Sequence, residues 1–416
     1  MKKNFALILA LILCLMSFTA LADGEKLKIS FYGRIDEDTS TPDMVAELKA
    51  HFADKYEIDM IQVDWGQLDR VIKTGIASGK PSDIYFYWPN QMISYVTAGQ
   101  VADLTPYLEA NDGEWKKTIQ ASALELGKYD GKYYNVPIIQ QSVAFYANKD
   151  LFEKAGVAIP EGAWSWDEFM AACHQIAEKT GAFPFALTGQ ADVQSWLMRN
   201  ACLGLAQDYG IYEEWAAGEI PGDHEMYRIA LENIKKLYDG KYVYPGDGAM
   251  TVSREETKAA FIQGKAALLA EVWTEGKPVS EQCDFEVVPV EWPRMGEHLG
   301  LTGGANGFFI PVNAANIDAS VEVLKYYLGK EVQTINAAYG LATTNTEVEV
   351  TDPITKKLCE YGQYVATKEF WALSTKLVDF RDQRLQAEYL LGTMSMDEIL
   401  AMQEELRLEV LEEMAE

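Results

Sequence analysis

Apolar and polar residues alternate over residues 27–33 and again over 57–63, the period-two pattern of half-buried strands. Between these runs Met44, Val45, Leu48 and Phe52 recur at helical spacing and predict a helix over Asp43 to Tyr56. Leu68 to Ala77 reads as a second helix, stopped by Ser78-Gly79-Lys80-Pro81. Asp83 to Trp88 is a near-continuous apolar run, as expected of a strand covered on both faces, and a helix from Met92 to Ala98 stops at Gly99. Strand and helix in alternation predict an α/β fold built on an open, mostly parallel sheet. Ligands of such sheets bind beyond the carboxyl ends of the strands. That rule selects three loops: Arg34-Ile35-Asp36, Asp64-Trp65-Gly66 and Tyr87-Trp88-Pro89-Asn90-Gln91. None has the spacing of a phosphate-cradling glycine loop.

Further along, Tyr129-Asp130-Gly131-Lys132-Tyr133 carries a hairpin-turn signal, and Asp-Gly-Lys recurs at Asp239-Gly240-Lys241. Val136 to Tyr146 is an extended run that leaves the first unit. Ser165 with Glu168 three residues later forms a capping box opening a helix, and helical segments continue to about residue 238. Strands are expected over 285–290 and 306–311. Helices dominate from 318, ending in an amphipathic helix from about Ser395 to Met414.

The first 22 residues stand apart from this pattern. Lys2 and Lys3, the apolar run Phe5 to Phe18 and Ala20-Leu21-Ala22 have the layout of a secretory signal peptide, cleaved near Ala22. Export to a periplasm or other cell-envelope space follows as the expected location. Cys14 lacks the small residues a lipid-attachment signal places before its cysteine, which disfavours an anchor there. Cys173, Cys202, Cys283 and Cys359 remain, with two disulfides and three pairings open after export; small buried apolar roles are the simpler reading.

The full chain of 416 residues has 36 basic and 63 acidic side chains. Loss of the leader's two lysines leaves a net charge of −29. Such a balance argues against nucleic acid, whose phosphates need clustered Lys and Arg, and against anionic lipid. The four His residues are scattered at 51, 174, 224 and 298, so neither a metal nor a cofactor is implied.

Six blocks in order carry a family resemblance. They are Pro81 to Phe86 with Tyr95 to Gly99; Asp130 to Pro137; Tyr146 to Gly156 with Trp166 to Phe169; Ala260 to Ala267; Gly303 to Pro311; and Gly392 to Leu400. Together they resemble family 1 extracellular solute-binding proteins of ABC transporters, the maltodextrin- and oligosaccharide-binding group. The resemblance implies a two-lobed periplasmic-binding-protein-like fold (type II), with a cleft and a hinge. It places one lobe at 23–137 plus 303–343 and the other at 142–290 plus 346–416. The hinge would lie near 138–141, 291–302 and 344–345. It implies a monomer that closes on a sugar and delivers it to membrane permease subunits.

Sugars offer apolar C–H faces and a rim of hydroxyls, so their sites combine aromatic faces with planar polar groups. By the resemblance, Tyr87 falls on the stacking aromatic that ends strand three, and Trp273 on a stacking Trp of the second lobe. Gln141, with its neighbour Gln140, falls where relatives carry a ligand-binding Glu. Asn90 and Gln91 replace an acid and an arginine. Trp65, Asp64, Arg34, Asp36, Trp196, Asn306 and Trp371 are further candidates from position and type. Ordinary core packing explains Tyr87 and Trp273 as an alternative, and Trp88 is as good a candidate as Tyr87, since strand neighbours face opposite ways. Helix packing is the other reading of Trp196 and Trp371. A secreted carbohydrate-active hydrolase, or a binder of a polyamine, acidic sugar or phosphate ester, are the rival functions. No H-E-x-x-H or G-x-S-x-G is present to favour an enzyme.

Overall fold

A computed structural model of the chain describes residues 26–33, 40–64, 67–189, 191–297, 301–361, 365–366, 377 and 380–415. Strand β1 (Leu27–Gly33) buries Ile29 and Phe31 on one face. It pairs in parallel with β2 (Tyr56–Gln62) on one edge and β3 (Ile84–Tyr87) on the other. The helix between β1 and β2, Pro42–His51, opens where the Thr41 side chain accepts the Met44 N–H and proline takes the first turn. It stops sooner than expected, because the chain turns at Phe52 to reach β2. The next helix, Leu68–Ala77, has the bounds the sequence predicts, and Ile93–Thr97 follows β3. A two-stranded hairpin, β4 (Lys128–Tyr129) and β5 (Lys132–Tyr133), turns through Asp130 and Gly131, both at positive φ. The second Asp-Gly-Lys is no hairpin: Asp239 ends the helix Glu225–Asp239 and Gly240 caps it.

Strand β6 (Val136–Asn148) organises the rest. Its first half pairs antiparallel with β10 (Leu301–Phe309), from Phe308↔Val136 to Gly303↔Ser142. Its second half pairs with β8 (Ala266–Val272) and with β9 (Val287–Val290). Strand β7 (Phe183–Ala186) adds to β8 in parallel, and the short β11 (Val365–Ala366) pairs β10. Strand order is β2-β1-β3-β10-β6-β8-β7. β7 interrupts a stretch expected to be helical.

Two hydrophobic cores flank the point where β6 changes partners. One runs from Ile29 to Ile139 and returns with Phe308 to Leu341. In it Phe31 sits edge-on to Phe308 at 4.9 Å and to Tyr327 at 5.4 Å. Truncating such a fully buried ring costs roughly 3–5 kcal/mol. The other core runs from Val143 to Trp292 and resumes from Ala342 to Leu400. Phe145 anchors it, with Phe185 at 4.8 Å and Trp292 at 4.4 Å. The capping box of Ser165 and Glu168 opens the helix Trp166–Thr180 as expected. The final helix spans Met396–Ala415.

Candidate functional site

Gln141 and Trp273 meet where β6 exchanges partners, and Tyr87 lies across β10 from them. Gln141 pairs with Gly304 of β10, and two residues later Val143 pairs with Val272 of β8. Trp273 follows β8 directly, at the start of a one-turn helix, Trp273–Glu275. Tyr87 ends β3 and pairs with Gly307, on the opposite edge of β10. At about 3.3 Å per residue and about 4.8 Å between strands, Tyr87 and Gln141 lie roughly 10 Å apart along β10 and roughly 10 Å across it. Glycines make this close weave feasible. A Cβ at Gly303 would meet the Gln141 carbonyl oxygen at 2.7 Å; one at Gly307 would meet that of Val136 at 2.7 Å and collide with Asn135 Oδ1.

On the side of the first core, Tyr87 is only 7% exposed and stands perpendicular to Tyr95 at 5.4 Å. Its hydroxyl donates to Asp69 Oδ1 at 3.4 Å, and the Tyr95 hydroxyl donates to the same oxygen at 2.6 Å. Lys73 holds Oδ2 at 2.6 Å. Burial pushes the Asp69 carboxyl up, but the hydrogen bonds from Lys73 and Tyr95 outweigh it and keep it below its ordinary range. Burial raises both tyrosine hydroxyls, so they stay protonated donors. The Asp69 side chain remains 49% exposed. Trp88, half-buried, packs edge-on to Tyr87 at 5.3 Å. Asn135 donates from Nδ2 to the Tyr87 carbonyl at 3.3 Å.

At the crossing, Gln141 Oε1 accepts the Trp273 and Ser142 backbone N–H groups, each at 3.2 Å, and Nε2 donates to Thr274 Oγ1 at 3.2 Å. Gln140 is buried, and its Oε1 accepts from Gln120 Nε2 at 3.5 Å. Asn306 is buried opposite Ile139. On the second side Trp273 is 2% exposed, and its indole N–H has no hydrogen-bond partner among the described residues.

The remaining candidates are placed as follows. Asp64 is exposed, with its carbonyl accepting the Gln67 N–H at 2.9 Å. Asn90 and Gln91 lie in the one-turn helix Pro89–Gln91; Gln91 is half-buried, and the Asn90 side chain lies outside the described residues. Trp196 is half-buried against the second core. Arg34, Asp36, Trp65 and Trp371 lie outside the described residues. Asp69, Tyr95 and Thr274 escaped the sequence reading. Asp69 had one usable signal: it sits in the first helical turn after the loop that follows β2, hence at the strands' carboxyl ends.

Among the described residues no three His, Cys, Asp or Glu side chains group as metal ligands, and no helix is long and apolar enough to cross a membrane. Cys173, Cys202, Cys283 and Cys359 are free thiols. The candidate residues carry hydroxyls, amides, aromatic rings and one half-exposed carboxylate, that of Asp69.

Residues 36–334 match the family described as bacterial extracellular solute-binding protein, and the chain belongs to that family. A binding protein of Brucella abortus (strain 2308) is 24% identical over 335 residues, 77% of this chain and 74% of that one. The diacetylchitobiose binding protein DasA of Streptomyces coelicolor is 26% identical over 167 residues, 40% of this chain and 37% of that one. The GacH receptor of Streptomyces glaucescens, solved unliganded and with acarbose, covers 94% of this chain and 99% of its own at 20% identity and a TM-score of 0.74. The fold is thus the two-lobed solute-binding fold, and the family is one of binding proteins.

Proposed function

We propose that this chain is the exported substrate-binding subunit of an ABC importer, and that its solute is a sugar or oligosaccharide held between the lobes and released unchanged. The observation that carries the sugar reading is the band from Asp69, Tyr87 and Trp88 across β10 to Gln141 and Trp273, which combines rings with hydroxyl, amide and carboxylate groups. Trp88 and Asp69 retain exposed surface and meet the sugar from the first lobe. Tyr87 acts chiefly by orienting Asp69. A sugar hydroxyl reaching Trp273 would satisfy its indole N–H, worth about 1–3 kcal/mol when left buried and unpaired. The names of two relatives, a diacetylchitobiose binder and an acarbose-bound receptor, support the same ligand class.

Two separate cores and the partner exchange on β6 support lobes at 23–137 with 303–343 and 142–290 with 346–416. Closure about the crossing strands would be favoured by a solute that touches both lobes. Permease subunits are the protein partner, the chain acts as a monomer, and the leader is removed near Ala22. No reaction is catalysed.

Thermal shift of the mature chain tests the ligand class. The panel is diacetylchitobiose, raffinose, maltotriose, xylotriose, galacturonate, glycerol 3-phosphate and spermidine. A ligand at 100 times its dissociation constant adds about 2.7 kcal/mol of stability. A neutral sugar should raise the melting temperature most. Stabilisation only by spermidine, galacturonate or glycerol 3-phosphate would replace the sugar reading with one of its rivals.

A further inference from the structure

Glu271 is 1% exposed and stands two residues before Trp273. Its carboxylate receives a two-pronged bond from Arg254, Nε at 2.8 Å and Nη2 at 2.5 Å, while Oε1 also accepts the Val272 N–H at 2.7 Å. Glu275, four residues on, lies 3.3 Å from Lys258 Nζ and 4.0 Å from Arg254 Nη2. Arg254 and Lys258 are one turn apart on the helix Arg254–Ile262, whose start is fixed by a capping box of Ser253 and Glu256. One helix thus clamps both ends of the stretch 271–275, with Trp273 at its centre. From the other side Gln141 holds the Trp273 N–H, and the Tyr146 hydroxyl donates to the Val272 carbonyl at 3.1 Å.

A buried ion pair is a poor device for stability alone, since apolar residues of the same volume often serve as well. A guanidinium fork on a carboxylate does fix distance and angle together. We infer that Arg254, Lys258, Glu271 and Glu275, with Gln141 opposite, form a brace that sets the position of the Trp273 indole. These are positioning residues, and Gln141 joins them through its bond to the Trp273 backbone. The consequence for affinity rests on the sugar reading of the site; the brace itself does not.

The full mature chain labelled with 5-fluorotryptophan provides the test by fluorine NMR. The resonance lost in Trp273→Phe belongs to Trp273. Glu271→Gln should shift and broaden that resonance while leaving most of the other nine in place. Arg254→Lys, which keeps the charge without the fork, should move it less than Arg254→Met. Titrated with diacetylchitobiose and raffinose, Glu271→Gln should bind about two- to thirtyfold more weakly than the parent, the range of couplings exerted without ligand contact. The fluorine readout needs no solute, so it judges the brace even where neither sugar binds and the sugar reading fails. If Glu271→Gln does not fold, Glu275→Gln and Lys258→Met loosen the outer half of the clamp and must move the same resonance. An unmoved Trp273 resonance in a folded clamp variant, whatever its melting temperature, overturns the brace.

Discussion

Gln141 and Trp273 are 132 residues apart in sequence, yet the Gln141 Oε1 accepts the Trp273 backbone N–H at 3.2 Å. The bond joins the strand that passes between the two cores to the turn that follows β8. A side chain at the crossing is thereby tied to an aromatic of the second core, and the neighbouring bond to Thr274 makes the tie two-point.

Trp273 carries two separable contributions. Trp273→Ala should lower stability by about 3–5 kcal/mol, as loss of a buried ring does, and weaken solute binding by about 1–3 kcal/mol. Trp273→Phe keeps most of the apolar body and removes the unpartnered N–H, so it should be clearly milder. Urea unfolding of both variants checks this; equal losses would mean that the indole's bulk is not what the core uses.

Asp69 makes stability pH-dependent in a defined direction. Its carboxyl is held below the ordinary value of about 3.9, so its contribution is complete above that value and is lost as pH falls through the lowered one. The stability difference between the parent and Asp69→Asn should be constant from about pH 7 to about pH 5 and shrink toward about pH 3. A difference that grows on acidification would contradict the Tyr95 and Lys73 bonds.

Gly307→Ala should destabilise by about 1–3 kcal/mol, the range for overpacking. The new methyl collides first with Asn135 Oδ1 and meets the Val136 carbonyl oxygen at 2.7 Å. Gly131→Ala, in the open hairpin turn, meets nothing within 4 Å and is strained only by its φ of +79°. Chemical unfolding should therefore rank Gly307→Ala as the worse of the two.

How far the chain declared this arrangement in advance differs from element to element. The helix Leu68–Ala77 has one clearly apolar face, and its bounds were readable. β8 was not readable: Ala266-Ala267-Leu268-Leu269-Ala270 suits a buried helix as well as a strand, and only pairing with β6 decides. Tyr87, Gln141 and Trp273 could be picked out by type and by family resemblance. Their surroundings could not, because Asp69 meets Tyr95 and Gln141 meets Trp273 only once the strands are in register. For Trp273 a stacking role and core packing were both open in the sequence; its 2% exposure depends on packing from elements far along the chain.

The thiols should be slow to react. Burial pushes the Cys283 and Cys359 thiols up to about 11, with the Asp284 and Glu360 carboxylates adding to the effect. At about pH 8 roughly one thiol in a thousand is then thiolate. Iodoacetamide labelling of native protein should rise about tenfold per pH unit toward pH 11. Rapid labelling of either residue at pH 8 would show a more open site.

Reversible capture of an intact sugar is tested most directly by isothermal titration of the mature chain with the panel sugars, followed by mass spectrometry of the recovered solute. Saturable one-to-one heat with one neutral sugar, its mass unchanged and its affinity reduced in Trp88→Ala and Asp69→Asn, is the expected result. No saturable heat with any neutral sugar, or a sugar recovered in pieces, would contradict it.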